Sequence, residues 1–321
     1  MRIAGVGFHT TYQYELAQLG EEYQFDYILS VWNHHMRPQP PNVRLLDEKL
    51  PLATYDLILA HSLADALHWQ ARLANEGARV PMVVSVHTYP PHWDECANSL
   101  PLSLRRLPSA FQGCPKVFVS EGSRELWGFA DDPESVVIPH AVDGDVWQGY
   151  HGSEEIILTV CNQMWAEDRY RGGSLFDLVT EGLPRVVVGD NPGHSVRSAS
   201  QEALQDAYQS ARLFLWTGVR GPTSFSPLEA MATGMPLVTV WTPDWSRLIV
   251  DGVNGFVCHD PVGLRRRCER LLADPQLARD VGARGRQTVL EGFHPNRFRR
   301  DWRHLLECAA AGLRPARTGE S

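Results

Sequence analysis

The chain has no run of about 20 apolar residues, the length a membrane-spanning helix requires. Its first residues, MRIAGVGFHT, enter a short apolar segment with no basic stretch ahead of a long hydrophobic one, so no secretory leader is expected. The expectation is a cytoplasmic protein, free or at the periphery of a membrane. The six cysteines, at 96, 114, 161, 258, 268 and 308, contain no CxxC pair, which removes support for a zinc ribbon or a disulfide framework and leaves reduced thiols. Positive charge is in deficit: a formal net charge of −8 and a pI near 5.9 argue against a surface that tracks nucleic acid, although a local basic patch can still bind phosphate. GxSxG and Walker motifs are missing, and with them the hydrolase and kinase chemistry they carry. GVGFHT also fails the GxGxxG dinucleotide fingerprint.

What is present is a regular alternation. At 321 residues the chain exceeds one typical core of roughly 100–200 residues, so two domains are expected. Short β-branched runs recur between helical stretches: MRIAGVG (1–7), FDYILSV (25–31), YDLILA (55–60), PMVVSV (81–86), KVFVS (116–120) and SVVIP (135–139). After the polar stretch HAVDGDVWQGYHGSEE (140–155) the pattern restarts with IILTV (156–160), RVVVG (185–189), ARLFLW (211–216) and PLVTV (236–240). Such alternation means parallel sheets, and in parallel sheets ligands bind beyond the carboxyl ends of the strands. The predicted domains are 1–148 and 149–294, followed by an amphipathic helix over 295–313 and a disordered tail over 314–321. In that helix Phe298, Trp302, Leu305 and Leu306 share the face that packs, and the arginines read as a solvated face. RPQPPN (37–42) reads as a surface loop.

The most informative stretch is RGPTSFSPLEAMATGMP (220–236). Ser226 as N-cap, Pro227 as first helical residue and Glu229 at the third position compose a helix start, and Gly234 with Pro236 a helix end. The amides of Leu228 and Glu229 at such an N-terminus favour a diphosphate, and a carboxylate beside them can accept from ribose hydroxyls. Glu229 completing a capping box is the alternative, and this segment alone does not separate the two.

SPLEAMATGMPLV, followed by DGVNGFV (251–257), resembles the donor-binding signature of glycosyltransferase family 4, the group 1 glycosyltransferases of GT-B fold. YDLILAHS, VPMVVSVHTYPP, KVFVSEGSREL, VVIPHAVDGDVW, IILTVCN and VVVGDNPG follow the order of that family's segments, so the resemblance runs along nearly the whole chain. It implies an α/β protein of two doubly wound Rossmann-like domains facing a cleft. The first domain would bind the acceptor and the second a nucleotide-sugar donor, with the last helix crossing back to the first domain.

The resemblance also implies roles. Glu229 matches the glutamate that holds the ribose, and Ser224, Phe225, Ser226, Pro227 and Leu228 complete the donor-binding run. The family's first glutamate would stand at Gly221, and its Gly-Gly pair after the next strand is replaced by Pro243 and Asp244, with Arg247 beyond. His87 stands where the family has a histidine near the reacting sugar; an imidazole there can orient a hydroxyl or assist proton transfer. Arg171 fits a cation that neutralises the leaving diphosphate, with Arg169 a second cation and Asn162 in place of a family arginine. Gly5 and Gly7 correspond to the family's glycine loop, with Gly7 approaching a phosphate or acting only as a turn glycine. His61 reads as structural. Asp143-Gly144-Asp145 and the set His87, His92, Asp94 and Glu95 do not make convincing metal sites, so no metal and no cofactor beyond the donor are expected. Trp93 and Trp165 are candidate sugar platforms, with core packing the default for any one tryptophan.

The function so implied is transfer of a hexose-type sugar from a nucleotide diphosphate to a hydroxyl of a glycan, lipid or small molecule, with retention and without metal, and with nucleic acid not a partner. Two alternatives stand beside it: a sugar-nucleotide-binding partner protein with impaired catalysis, and a sugar-nucleotide epimerase of related fold.

Overall fold

The computed structural model describes residues 1–28, 32–34, 37–90 and 113–314. Cys96, His92, Trp93, Asp94, Glu95 and the tail from residue 315 lie outside the described residues. The chain divides into two units, Met1–Ala141 with Pro295–Ser321, and Val142–His294. The division falls seven residues before the sequence boundary at 148, because Val142 already donates its amide to the carbonyl of Phe293 in the second unit.

In the first unit the strands β1 (Arg2–Val6), β2 (Gln24–Ile28), β3 (Val43–Leu45), β4 (Leu57–Ala60), β5 (Met82–Val86), β6 (Lys116–Phe118) and β7 (Ser135–Val137) form a sheet of order β3-β2-β1-β4-β5-β6-β7. Every pairing is parallel, with Ile3 opposite both Phe25 and Leu57, and Val84 opposite Lys116. The order reverses between β1 and β4, where a doubly wound sheet opens a crevice. β3 is absent from the sequence reading: its three residues include Arg44 and lie in no longer β-branched run. It follows a loop that is not simply surface, since the Asn42 amide donates to the carbonyls of Ala17 and Tyr23 and Pro40 is buried.

Helix α1 (Thr10–Ala17) follows β1, α2 (Leu63–Glu76) follows β4 and α3 (Glu121–Leu126) follows β6. The last helix, α11 (Pro295–Ala310), lies on α1, β4 and β5 with Phe298, Trp302, Leu305 and Leu306 buried. Its arginines are not the solvated face expected of them. Arg297 donates to the carbonyls of Pro139 and His140, Arg299 pairs with Glu15 at 2.9 Å, and Arg303 donates to the Leu19 carbonyl. Arg300 is the one of these whose side chain stands mostly in solvent. Periodicity separates apolar from polar positions, but it cannot say that a polar face will meet backbone carbonyls.

The second unit repeats the plan with β8 (Glu154–Val160), β9 (Arg185–Val188), β10 (Ala211–Trp216), β11 (Leu237–Val240) and β12 (Phe256–Cys258), in the order β12-β11-β10-β8-β9, all parallel. Its helices are α4 (Asp168–Arg171), α5 (Gly173–Thr180), α6 (Gln201–Ser210), α7 (Phe225–Thr233), α8 (Pro243–Leu248), α9 (Pro261–Ala273) and α10 (Pro275–Gly292). α7 and α10 approach so closely that a Cβ on Gly282 would stand 1.9 Å from the carbonyl oxygen of Gly234. Only glycine fits there. The cysteines at 114, 161, 258, 268 and 308 are free thiols, and burial raises four of them, Cys161 to about 11.

Candidate functional site

In the second unit the candidate residues gather beyond β8 and β10, which are neighbours in the sheet. α7 begins two residues earlier than the sequence suggests: Ser224 is the N-cap and Glu229 falls in the second turn. The reading from sequence placed Ser226 at the N-cap and Pro227 at the first helical position, the places those residues favour. Pro227 at the third helical position is tolerated because first-turn amides have no intrahelical acceptor. The Leu228 amide donates to the Ser224 carbonyl at 3.4 Å. The first turn is Phe225 to Leu228.

Ser224 makes no side-chain cap. Ser62, Ser120, Ser200 and Thr242 do cap α2, α3, α6 and α8, each accepting from the amide three residues on. The start of α7 is thus left open by its own cap residue at the carboxyl end of β10. Glu229 lies too far along to close a capping box, which removes that alternative. Its buried carboxylate accepts from the Tyr208 hydroxyl at 3.3 Å, a hydroxyl shared with the Ser226 carbonyl at 3.1 Å. Burial, reinforced by the Glu229 charge, pushes Tyr208 well above the ordinary tyrosine range, so it remains a donor.

Beyond β8, Asn162 spends its side-chain oxygen on the Asp190 amide at 2.8 Å, so this position does not supply what an arginine would. Gln163 takes left-handed backbone, φ 53°, unusual without glycine. α4 then carries Arg169 and Arg171 in its single turn. Arg171 is half-exposed and its Nε lies 3.2 Å from Glu167. Gly172, at φ 69°, ends α4 where a Cβ would stand 2.2 Å from the Thr217 carbonyl oxygen. The carbonyls of Tyr170 and Arg171 accept from the Val219 amide and the Thr217 hydroxyl, at 3.1 and 3.3 Å. Arg171 is therefore tied to the segment that leads from β10 into α7. Trp165 stacks on His194 with centroids 3.9 Å apart and donates to Asp177 at 2.7 Å, so one of its faces is taken. A Cβ at Gly221 would meet nothing within 4 Å.

The first unit gathers a different set, beyond β1, β4 and β5 at the order reversal. Gly5 lies inside β1, where a Cβ would press on Tyr27 and the Leu59 carbonyl at 2.9 Å, so its smallness serves packing rather than a phosphate. Gly7 donates its amide to the Ile28 carbonyl at 2.9 Å, extending the ladder by one rung. His61 and His87 follow β4 and β5 and meet nitrogen to nitrogen, Nδ1 to Nε2, at 3.2 Å. The half-exposed Phe8 ring lies over both, 4.2 Å from His87 and 5.4 Å from His61. The buried Tyr12 turns its edge to His61, His87 and His140, and to Phe298 and Trp302 of α11. Burial lowers His61 to about 3, and His87 falls well below its ordinary value for the same reason, helped by His61, His140 and His9. Both rings are neutral at physiological pH. His61, read as structural from sequence, is thus the direct partner of His87; the signal available was the run HSLAD, whose Ser62 and Asp65 cap α2 immediately after it. Among the described residues no group of three or more potential metal ligands converges, and Asp143 spends Oδ1 on the Asp145 amide.

Residues 194–288 match the family model for glycosyl transferases group 1. Human alpha-1,3/1,6-mannosyltransferase ALG2 is 31% identical over 104 residues, 32% of this chain and 25% of that protein. The putative glycosyltransferase EpsD of Bacillus subtilis is 30% identical over 27% of this chain and 23% of its own, so the chain matches about a quarter of each curated relative. Among solved structures, Anabaena HepE in complex with UDP superposes with a TM-score of 0.73 at 12% identity, covering 96% of this chain and 100% of that one. HepE is also known in complex with UDP-glucose. Sucrose-phosphate synthase of Thermosynechococcus elongatus gives 0.75 at 14%, covering 97% and 99%. No helix among the described residues is long and apolar enough to cross a membrane. The chain has the GT-B fold, and its residues 194–288 match the model of the group 1 glycosyltransferases.

Proposed function

We propose that the protein is a nucleotide-sugar-dependent glycosyltransferase that moves a hexose-type sugar to a hydroxyl acceptor, with retention and without a metal. The observation that carries this reading is the start of α7: a helix N-terminus at a strand end that its own serine does not cap, with the Glu229 carboxylate held behind it by Tyr208. A helix start left open by its own serine suits a diphosphate, and a carboxylate fixed nearby suits ribose hydroxyls. Ser224, Phe225, Ser226, Pro227, Leu228 and Glu229 form this donor subsite, with Arg171, and Arg169 beside it, meeting the charge that grows on the departing diphosphate. Stabilising the leaving group in this way acts on the transition state more than on the bound donor. Gly7 contributes at most backbone, since its amide is engaged. In the first unit His87 orients the acceptor hydroxyl, and the neutral, aromatic surroundings of that residue fit an uncharged sugar or alcohol. UDP is the first base to test, because HepE binds UDP and UDP-glucose.

One observation favours the binding-partner alternative: Gly221 offers no carboxylate where the family's first glutamate would touch the sugar. The space around it is open, so Gly221→Glu can be accommodated, and a rise in sugar release from UDP-glucose in that variant would identify a chain that had lost catalysis. The primary test is a thermal-shift series with uridine, guanosine, adenosine and thymidine diphosphates and their sugar conjugates, on the native chain and on Glu229→Ala. A shift for one diphosphate that disappears in the variant is expected. No shift with any of them would remove the donor site.

A further inference from the structure

The contact between His61 and His87 carries more than packing. His61 is held from three directions. Phe8 covers its face at an interplanar angle of 15°, Tyr12 meets it edge on, and Tyr27 lies 6.4 Å away, centroid to centroid. Its amide donates to Asp65 Oδ2 at 3.1 Å, while the Ser62 hydroxyl accepts from the Asp65 amide at 3.1 Å, so the capping of α2 fixes the backbone from which the ring projects. His87 is only half-buried, and the Nδ1–Nε2 contact is the hydrogen bond by which a fixed ring can set its angle.

Two neutral imidazoles at this distance share a single proton, and two arrangements satisfy them. In one, His61 donates from Nδ1; its Nε2 is then a bare lone pair, and His87 accepts at Nε2 and carries its own proton on Nδ1. In the other, His87 donates from Nε2, leaving His61 with an N–H at Nε2 and His87 with a lone pair at Nδ1. His61 Nε2 and His87 Nδ1 are both buried and make no hydrogen bond among the described residues. Either arrangement leaves one N–H without an acceptor, and that is costlier on the enclosed His61 than on the half-buried His87, so the first arrangement is preferred.

We propose that His61 is a positioning residue that fixes the ring plane and tautomer of His87, so that the His87 proton is held on Nδ1. The proposal rests on the reading of His87 as a residue that meets the acceptor. It differs from that reading in what it predicts before any ligand is added. His9 and His140 are the other titratable groups that act on His87, and neither lies on the strand end that carries His61.

The test is a long-range nitrogen–proton correlation spectrum of the imidazoles in the full-length protein at neutral pH, with His87→Asn used for assignment. His87 is expected to show a protonated Nδ1 and an unprotonated Nε2. His61→Phe keeps the volume and removes the donor, and should return His87 to a mixture dominated by Nε2–H. His61→Asn places an amide where Nδ1 stood and should restore the Nδ1–H form. With UDP-glucose as the probe, sugar release in His61→Phe should fall about tenfold in kcat with KM within about twofold, and recover in His61→Asn. A wild-type His87 protonated on Nε2, or a tautomer indifferent to His61→Phe, overturns the proposal; the wild-type spectrum alone decides if that variant does not fold. If His87→Ala releases sugar at the native rate, the reading of His87 fails instead, and the tautomer result is untouched.

Discussion

The two strand-end sites are built from opposite materials. Beyond β1, β4 and β5 the side chains are aromatic and neutral, with imidazoles that burial has stripped of charge. Beyond β8 and β10 they are charged or dipolar: two arginines on one turn, an open helix start and a fixed carboxylate. A neutral, largely apolar site gains specificity from shape and from a few directed hydrogen bonds, whereas a charged, half-exposed one works through charge that water and salt can reach. The transfer proposed above, of a sugar from a departing diphosphate to an uncharged hydroxyl, needs one of each, and the contrast can be tested from either side.

The largest effect should come from the helix that carries the charged site. Gly282→Ala sets a methyl against the Gly234 carbonyl, where no flexible side chain can yield, and should cost about 3 kcal/mol in urea denaturation. Loss of nucleotide binding at temperatures where the variant is still folded would tie the position of α7 to its ligand.

The neutral site should be exposed by acid. His61, lowered to about 3, stays unprotonated in the native state while the unfolded chain takes up its proton near the ordinary 6.5. Its contribution is therefore fully present above 6.5, falls as pH drops through that value, and levels off only below about 3. Between pH 7 and 5 this is about 2 kcal/mol of stability from His61 alone. Denaturation across that range should show His61→Phe losing less than the native chain, and equal losses would place the titration elsewhere.

Glu229→Ala should weaken UDP binding by about tenfold to thirtyfold, the value of a charge-assisted hydrogen bond. Arg171→Gln should have the smallest effect, about fivefold in affinity for a half-exposed cation, and should flatten the dependence of binding on salt. Calorimetry at two salt concentrations measures both; a salt dependence unchanged in Arg171→Gln would remove that arginine from the diphosphate.

Much of the fold was legible because the interior strands of both sheets are near-continuous apolar runs, as LILA and the LFLW of β10 show. β3 and β12 were not read as strands because charged or polar residues stand within or directly beside them, as in VRLLDE and NGFVCHD, whereas the equally short β6 and β7 sit in the longer runs KVFVS and SVVIP. Of the candidate site, the run from Ser224 to Glu229 was visible as a string, but its register was not. Proline next to serine argued locally for a later start, and the wider chain placed Phe225 and Ser226 in helix all the same. The His61 contact was illegible for another reason: two residues 26 apart touch because β4 and β5 are adjacent, which is a property of the sheet rather than of either segment. Gly282 carried no signal either, since a glycine within a helix announces a close neighbour but not which one.

The placement of α11 sets an order of events. The second unit is an uninterrupted stretch of chain, while the first waits for Pro295–Ala310 before its Tyr12 side is covered. Domains fold as units during synthesis, usually the N-terminal one first. Here the ribosome must reach the end of α11 before the earlier-made unit can close. The later-made unit can be folded before its predecessor, and a ribosome stalled short of residue 295 would present the neutral histidine site with one wall missing.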